Sequence, residues 1–244
     1  MISLIIPTYN EAVALAATLD SVAQNKANKE VMVVDAGSID RTRELAREKA
    51  ARLLFSPRKQ RAYQMDLGAR QACGTILLFL HADTLLPASA LDYILLALSN
   101  KRVVGGGFSR RYNSNSCFLR LTCVLASLRT RSTGWFLGDQ AIFVRREKFA
   151  ELGGFRDLDL FEDLDFSRRM AKAGQVVTLI PPVISSSRRF KARGEVLTTL
   201  SDFWLTCCYL AGADPNTLAN VRHAGSEGSA SCDDSRVKQR ALKS

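Results

Sequence analysis

Five apolar residues, Ile76-Leu77-Leu78-Phe79-Leu80, run without a break into His81-Ala82-Asp83. An unbroken run of this length reads as a strand buried on both faces, which requires helices above and below it. Open parallel sheets bind ligands beyond the carboxyl ends of their strands. The imidazole and carboxylate that stop the run therefore stand where a site would be. Asp83 supplies the hard anionic oxygen that a divalent cation takes. The competing reading makes Asp83 the cap of a helix that begins through Thr84 and Pro87.

The flanking sequence repeats the pattern. Ser3 to Ile6, Val31 to Val34, Leu53 to Phe55 and Thr75 to Leu80 read as strands. Between them, Leu15, Leu19 and Val22 share one face of a helix. Asp40 is placed to cap a second helix reaching about Ala51, and Arg61 to Ala72 form a third. Alternation of this kind predicts an α/β fold with a mostly parallel central sheet flanked by helices. The second half is less regular. Val103 to Phe108, Ala141 to Val144 and Val176 to Ile180 read as strands, the last stopped by Pro181-Pro182. Leu164 to Ala173 and Glu195 to Gly212 read as helices, and Asp214-Pro215 start another. Gly105-Gly106-Gly107 marks a close backbone approach or a bulge.

Composition narrows the partners without choosing one. The chain has 244 residues, 47% hydrophobic, with a formal charge of +10. That charge suits phosphate-bearing ligands, anionic lipid or nucleic acid. The arginines and lysines are scattered and no nucleic-acid motif accompanies them, so no nucleic-acid partner is expected. Six cysteines without a Cys-x-x-Cys pair argue for core thiols in a reducing compartment rather than a zinc site. Met1 to Ile6 reads as a strand and not as a leader, and no spanning helix is visible, so a cytoplasmic location is expected. A P-loop, a Gly-x-Gly-x-x-Gly turn and a Gly-x-Ser-x-Gly elbow are all missing.

Three strand ends carry polar residues: Pro7-Thr8-Tyr9-Asn10-Glu11, Asp35-Ala36-Gly37-Ser38 and His81-Ala82-Asp83. A parallel sheet brings such ends to one edge. There Tyr9 is fit to stack on a planar base, Asp35 to accept from a base or ribose, and a metal on Asp83 to neutralise a diphosphate. Together they describe a pocket for a nucleoside diphosphate.

These segments, followed in order by Gly138-Asp139-Gln140, Gly153-Gly154-Phe155 and Glu162-Asp163-Leu164-Asp165, resemble family 2 glycosyltransferases of the GT-A fold over roughly residues 2 to 190. A narrower bacterial branch, associated with arsenosugar biosynthesis, carries His-Ala-Asp-Thr in place of Asp-x-Asp and ends in Ser-x-Arg-Arg-Phe. Here these are His81 to Thr84 and Ser186 to Phe190. The resemblance implies a Rossmann-like nucleotide-binding half over 1–100, an acceptor and catalytic half over 101–194, and C-terminal helices over 195–222. Together these make one domain, and a disordered tail is expected over 223–244.

The implied activity is inverting transfer of a sugar from a nucleotide-diphosphate sugar to an acceptor hydroxyl, small or lipid-linked. Asp163 takes the role of general base and Glu162 orients it or the acceptor. Pro7, Thr8, Tyr9, Glu11 and Asp35 match nucleotide-contacting positions, although Ala36 replaces the usual second aspartate. Arg61 matches a basic residue near the base or phosphate. Asp83 is the metal ligand for Mg²⁺ or Mn²⁺, with His81 as a second candidate. Arg188 and Arg189 reach the diphosphate or else form a solvated basic loop. Gly138, Asp139 and Gln140 line the acceptor pocket, unless Asp139 is a turn residue. The acidic pair also fits an ordinary helix N-terminus. The alternative function is a non-catalytic nucleotide-binding or scaffold protein on the same fold. The apolar helices near 117–129 and 195–212 read as core or dimer contacts, or as surfaces for peripheral contact with the inner face of a membrane.

Overall fold

Even and odd residues of the first strand enter two different cores. The computed structural model describes residues 1–222. Its strands are β1 (Ile2–Thr8), β2 (Lys29–Asp35), β3 (Arg52–Phe55), β4 (Ile76–Phe79), β5 (Thr84–Leu85), β6 (Val103–Tyr112), β7 (Ile142–Arg145) and β8 (Gln175–Ser185). They form one sheet in the order β3-β2-β1-β4-β7-β6-β8-β5. On one face Ile2, Leu4, Ile6, Leu78 and Leu80 meet α1 (Ala12–Ala23) and α4 (Ala90–Ser99) through Leu15, Leu19, Leu91 and Ile94. On the other, Ile5, Met32, Leu77 and Phe79 meet α3 (Arg61–Gln71) and α7 (Glu162–Ala173) through Met65, Ala69, Phe166 and Met170. Burial on both faces is why the strand sequences show no alternation. The second core holds an aromatic group in which Phe155 lies 4.8 Å from both Phe79 and Phe166, centroid to centroid.

The first four strands are parallel, as their spacing by helices predicts. The second half departs from that pattern. β7 runs antiparallel to both β4 and β6, whereas β6 and β8 are parallel. The prolines do not stop β8: Leu179 pairs with Phe108 and Val183 with Arg110, so a bulge carries Pro181-Pro182 past the ladder. The glycine run serves both expected purposes. A register shift sits between Val103 and Gly105, and a Cβ on Gly106 would stand 2.0 Å from the Val177 carbonyl oxygen.

Local capping also departs from expectation. No helix starts at Asp83: Thr84–Leu85 is strand β5, paired with Ile184 and Ser185, and α4 starts only after Ser89. Asp40 accepts from the backbone N–H groups of both Thr42 and Ala12, at 3.0 and 3.1 Å. It therefore ties together the starts of α1 and α2 (Thr42–Glu48), and α2 ends before Ala51. Of the described cysteines only Cys123 is buried, while Cys73, Cys117 and Cys207 are exposed, which corrects the expectation of core thiols. Cys232 and the expected disordered tail lie outside the described residues.

The described residues divide into two compact units, one of Met1–Asp157 with Glu162–Ser187, the other of Leu158–Phe161 with residues 188–222. The second contains α8 (Arg188–Arg193), α9 (Glu195–Leu210) and helical residues 215–222. Asp214 accepts from the Thr217 N–H at 2.8 Å, the cap expected ahead of Pro215. In α5 (Cys117–Thr133), Leu121, Val124, Leu125 and Leu128 face outward, and α9 likewise exposes Leu197, Leu200, Phe203 and Trp204. Core packing therefore does not account for the apolar content of either helix. Among the described residues, no helix is long and apolar enough to cross a membrane.

Candidate active site

The ends of β1 and β2 are laced together before any ligand is considered. The buried Asp35 carboxylate accepts four bonds: from Gly37 N (3.0 Å), Ser38 N (2.9 Å), Thr8 Oγ1 (3.2 Å) and Ser38 Oγ. Asn10, in the left-handed region at φ 53°, accepts from Ile39 N through Oδ1 at 2.9 Å, and its own N–H donates to Ser38 Oγ. The Glu11 N–H donates to Thr42 Oγ1. Gln64, from α3, donates to the carbonyls of Thr8 and Val34 at 2.9 and 2.7 Å. Pro7 and Thr8 are buried, so what the motif presents outward is Tyr9, Asn10 and Glu11. Lys59 Nζ sits 3.6 Å from the centre of the Tyr9 ring, over the face expected to stack on a base. Lys59 was not singled out from sequence, although Arg58-Lys59-Gln60-Arg61 is a cationic turn leading into a helix at the right sheet edge.

The end of β4 is fixed from three sides. Thr18, on α1, donates to the Ala82 carbonyl at 2.7 Å. The Asp83 carbonyl accepts from Ser186 N at 3.1 Å. Thr84 Oγ1 lies 3.2 Å from Ser185 Oγ, which donates to the Asp139 carbonyl at 3.0 Å. Short β5 thus joins the His81-Ala82-Asp83 turn to the Gly138–Gln140 turn, about 50 residues further on.

The same turn meets the acidic start of α7. Asp163 Oδ2 accepts from Gly138 N, and its Oδ1 from Leu164 N at 2.6 Å. Glycine at 138 leaves room for both groups: a Cβ there would lie 2.3 Å from His81 Nε2 and 3.1 Å from Asp163 Oδ2, so imidazole and carboxylate converge on one point. Glu162 is buried and pairs with Arg61 at 3.2 Å. The Arg61 guanidinium is raised first by Glu162, against burial, and then by Asp163, Asp83 and Asp139. One arginine at the start of α3 therefore faces acids from three separate segments. Ala141 (φ 48°) and Phe161 (φ 66°) follow and precede these segments in strained left-handed backbone. His81, Gly138 and Asp163 also line a small cavity floored by Met65, Phe79, Ile142 and Phe155.

Asp139 and Gln140 have partners that the sequence did not reveal. Asp139 Oδ2 pairs with Arg110 and accepts from Tyr112 Oη at 3.3 Å. Burial raises the Asp139 carboxyl, but Arg110 and His81 bring it below the ordinary carboxylate range. Gln140 is fully buried; its Nε2 donates to the Phe108 carbonyl at 3.0 Å and its Oε1 accepts from Leu137 N at 3.1 Å. It is a clamp within the turn and exposes nothing to an acceptor, contrary to expectation. Arg129 reaches Gln140 Oε1 at 3.4 Å. A signal for Arg129 existed, since it follows the buried Ala126 by three residues on the inward side of α5.

No three metal-ligating side chains converge among the described residues. Arg188 and Arg189 belong to the second unit, where Arg189 forks onto Asp202 at 2.8 and 2.9 Å.

A profile described as glycosyl transferase family 2 matches residues 3–153, more than half of the chain. A PGL/p-HBAD biosynthesis glycosyltransferase of Mycobacterium bovis is 31% identical over 221 residues, covering 83% of this chain and 81% of the relative. The glycosyltransferase AglE of Haloferax volcanii is 29% identical over 201 residues, 75% of this chain and 65% of the relative. Among solved structures, S. aureus TarS in complex with UDP superposes with a TM-score of 0.63 at 16% identity, over 76% of this chain and 60% of that one. The mannosyltransferase PcManGT of Pyrobaculum calidifontis, in complex with GDP-Man and Mn²⁺, gives a TM-score of 0.62 at 23% identity, over 92% of this chain and 68% of that one. The chain thus spans less than two thirds of AglE and TarS, and the fold it shares with these structures is GT-A.

Proposed function

The chain belongs to glycosyl transferase family 2, and from that premise we propose that it moves a glycosyl group from a nucleotide-diphosphate sugar to an acceptor hydroxyl with inversion. The observation that carries this reading is the meeting of Asp163, Gly138 and His81 at one point, with Asp83 and Arg61 close enough to interact. In the proposed reaction the acceptor oxygen attacks the anomeric carbon and the bond to the diphosphate breaks. The acceptor proton passes to the Asp163 carboxylate, which is needed because an alcohol ionises far above neutral pH. Two N–H donors, from Gly138 and Leu164, hold that carboxylate in one orientation, which in-line attack requires. Glu162, locked to Arg61, positions the start of α7 rather than accepting the proton.

Structural neighbours solved with UDP, with GDP-Man and Mn²⁺, and with UDP and Mn²⁺ support a nucleotide-sugar donor and a divalent cation. When bound, such an ion neutralises charge growing on the leaving diphosphate. Asp83 is the residue that would hold it. A single carboxylate fits Mg²⁺ or Mn²⁺, which take remaining ligands from phosphate oxygens and water. His81, facing Gly138 and Asp163, is assigned to the reacting side of the site instead. Tyr9, Lys59 and Glu11 take the nucleotide, and Asp35 supports it indirectly by shaping the Gly37–Ser38 loop.

Release of nucleoside diphosphate from UDP-, GDP- and dTDP-sugars, with Mn²⁺ or Mg²⁺, tests the reading. One donor should be hydrolysed slowly in a metal-dependent way, and Asp83→Ala should abolish this. A chain that binds none of these donors by calorimetry is not a transferase of this kind.

A further inference from the structure

We propose that Arg110, Arg129 and Asp139 form an acceptor subsite for a small molecule carrying both a hydroxyl and an anionic phosphate or carboxylate group. The inference rests on the transferase reading and adds the chemical class of the acceptor. Its basis is a local imbalance. Two arginines meet the Gly138–Gln140 turn, Arg110 at the Asp139 carboxylate and Arg129 at the Gln140 amide. Arg110 is only 11% exposed, yet its Nε has no hydrogen-bond partner. The Nε of Arg129 is likewise buried and unpartnered, and its bond to Gln140 is a long one to a neutral amide. Asp139 Oδ1 is buried and lacks a donor.

Buried polar atoms are almost always satisfied in folded proteins, and three unsatisfied ones in one cluster ask for a ligand. The unmet groups define it: two guanidinium Nε–H donors want anionic oxygens, and a carboxylate oxygen wants an O–H. Burial, followed by the charge of Arg110, pushes the Arg129 guanidinium down, in keeping with a positive charge that Asp139 does not fully balance. The cluster also interacts with Asp163, the proposed base. An acceptor anchored there by its anionic end would present its hydroxyl on the Asp163 side. Arg61 and Asp83 remain for the donor.

The test is a thermal-shift titration of the whole chain with inorganic phosphate and, separately, with glycolate. Ionic strength is held constant, and saturating nucleoside diphosphate and Mn²⁺ occupy the donor site. Either anion should raise Tm with the nucleotide bound, and Arg129→Gln should weaken that response about tenfold, the loss expected for a charge-assisted hydrogen-bond pair. Nucleotide affinity should stay unchanged. If Arg129→Gln fails to fold, Arg129→Lys takes its place, with a smaller loss expected because the charge stays and the fork goes. Loss of nucleotide affinity in the variant would assign the arginines to the donor diphosphate and overturn the proposal. So would the lack of any anion response while nucleotide still binds. If nucleotide itself does not bind, the transferase reading fails separately, and the anion titration without it still judges the subsite.

Discussion

Two polar regions at the same sheet edge are built in opposite ways. Around Asp35, both carboxylate oxygens are taken up by donors of the neighbouring loops, and Asn10, Asp40 and Gln64 add further bonds between the same segments. Around Asp139, one carboxylate oxygen and two guanidinium nitrogens are left without partners. The first region is complete without ligand and acts as scaffold. The second has hydrogen-bonding capacity to spare, which is what the proposed acceptor subsite would use. Hydrogen-bond completeness is what distinguishes the surroundings of Asp35 from those of Asp139.

The largest expected effect lies at Asp163, the carboxylate proposed as base. Asp163→Asn should lower kcat about 10²–10⁴-fold, the range for loss of a general base, while donor binding measured by calorimetry persists. A variant within a few-fold of the parent would return the acidic pair to the role of a plain helix start. Asp35→Ala should act on stability instead, costing about 3 kcal/mol because it strands buried N–H donors. Denaturant unfolding reads that value, and a loss well under about 1 kcal/mol would show that the loops are not held by this carboxylate. Gly138→Ala falls between the two. Its Cβ would displace His81, so activity should drop by about 10² with only a modest change in unfolding midpoint. Unchanged turnover would mean that His81 and Asp163 need not converge.

The smallest effect concerns pH. Burial opposes but Arg110 prevails at Asp139, whose carboxyl is held below the ordinary range. Its contribution to stability is present above the ordinary carboxylate value and is lost as pH falls through the lowered one. Asp66 has the opposite sign: burial raises it, while Phe155 N–H donates to it at 3.0 Å. Its contribution is greatest in acid and is lost as pH rises through the raised value. Melting curves from about pH 3 to 7 should show the acid loss shrink in Asp139→Asn. Asp66→Asn, which keeps the acceptor for Phe155, should be stabilised at neutral pH by about 1 kcal/mol or less. Matching slopes in the two variants would contradict these signs.

Much of this organisation is legible in the chain because its determinants are local. The run from Ile76 to Leu80 marks a central strand, since burial on both faces needs only apolar residues in succession. Asp214-Pro215 marks a helix start, since the cap bonds three residues ahead. The order of the motifs, from Pro7 through Asp163, places the chain in its family. Other features resist such reading. Pro181-Pro182 suggests a strand end, yet β8 continues because a bulge against β6 absorbs the prolines. Asp83 suggests a cap, yet β5 pairs with a strand about a hundred residues away. The six cysteines suggest a core, yet most of those described lie at the surface, because a small side chain fits either place.

The sequence by itself determined the parallel first half of the sheet, the carboxylates at its strand ends and the family. Each depends on residue type, on spacing within an element, or on motif order. Only the tertiary structure decided which of those carboxylates are already satisfied. It joined Arg110 to Asp139 across 29 residues and Asp163 to Gly138 across 25, and it turned Gln140 inward. Hydrogen bonds between distant segments follow from how strands and turns meet in space, and no local pattern of residues carries that information.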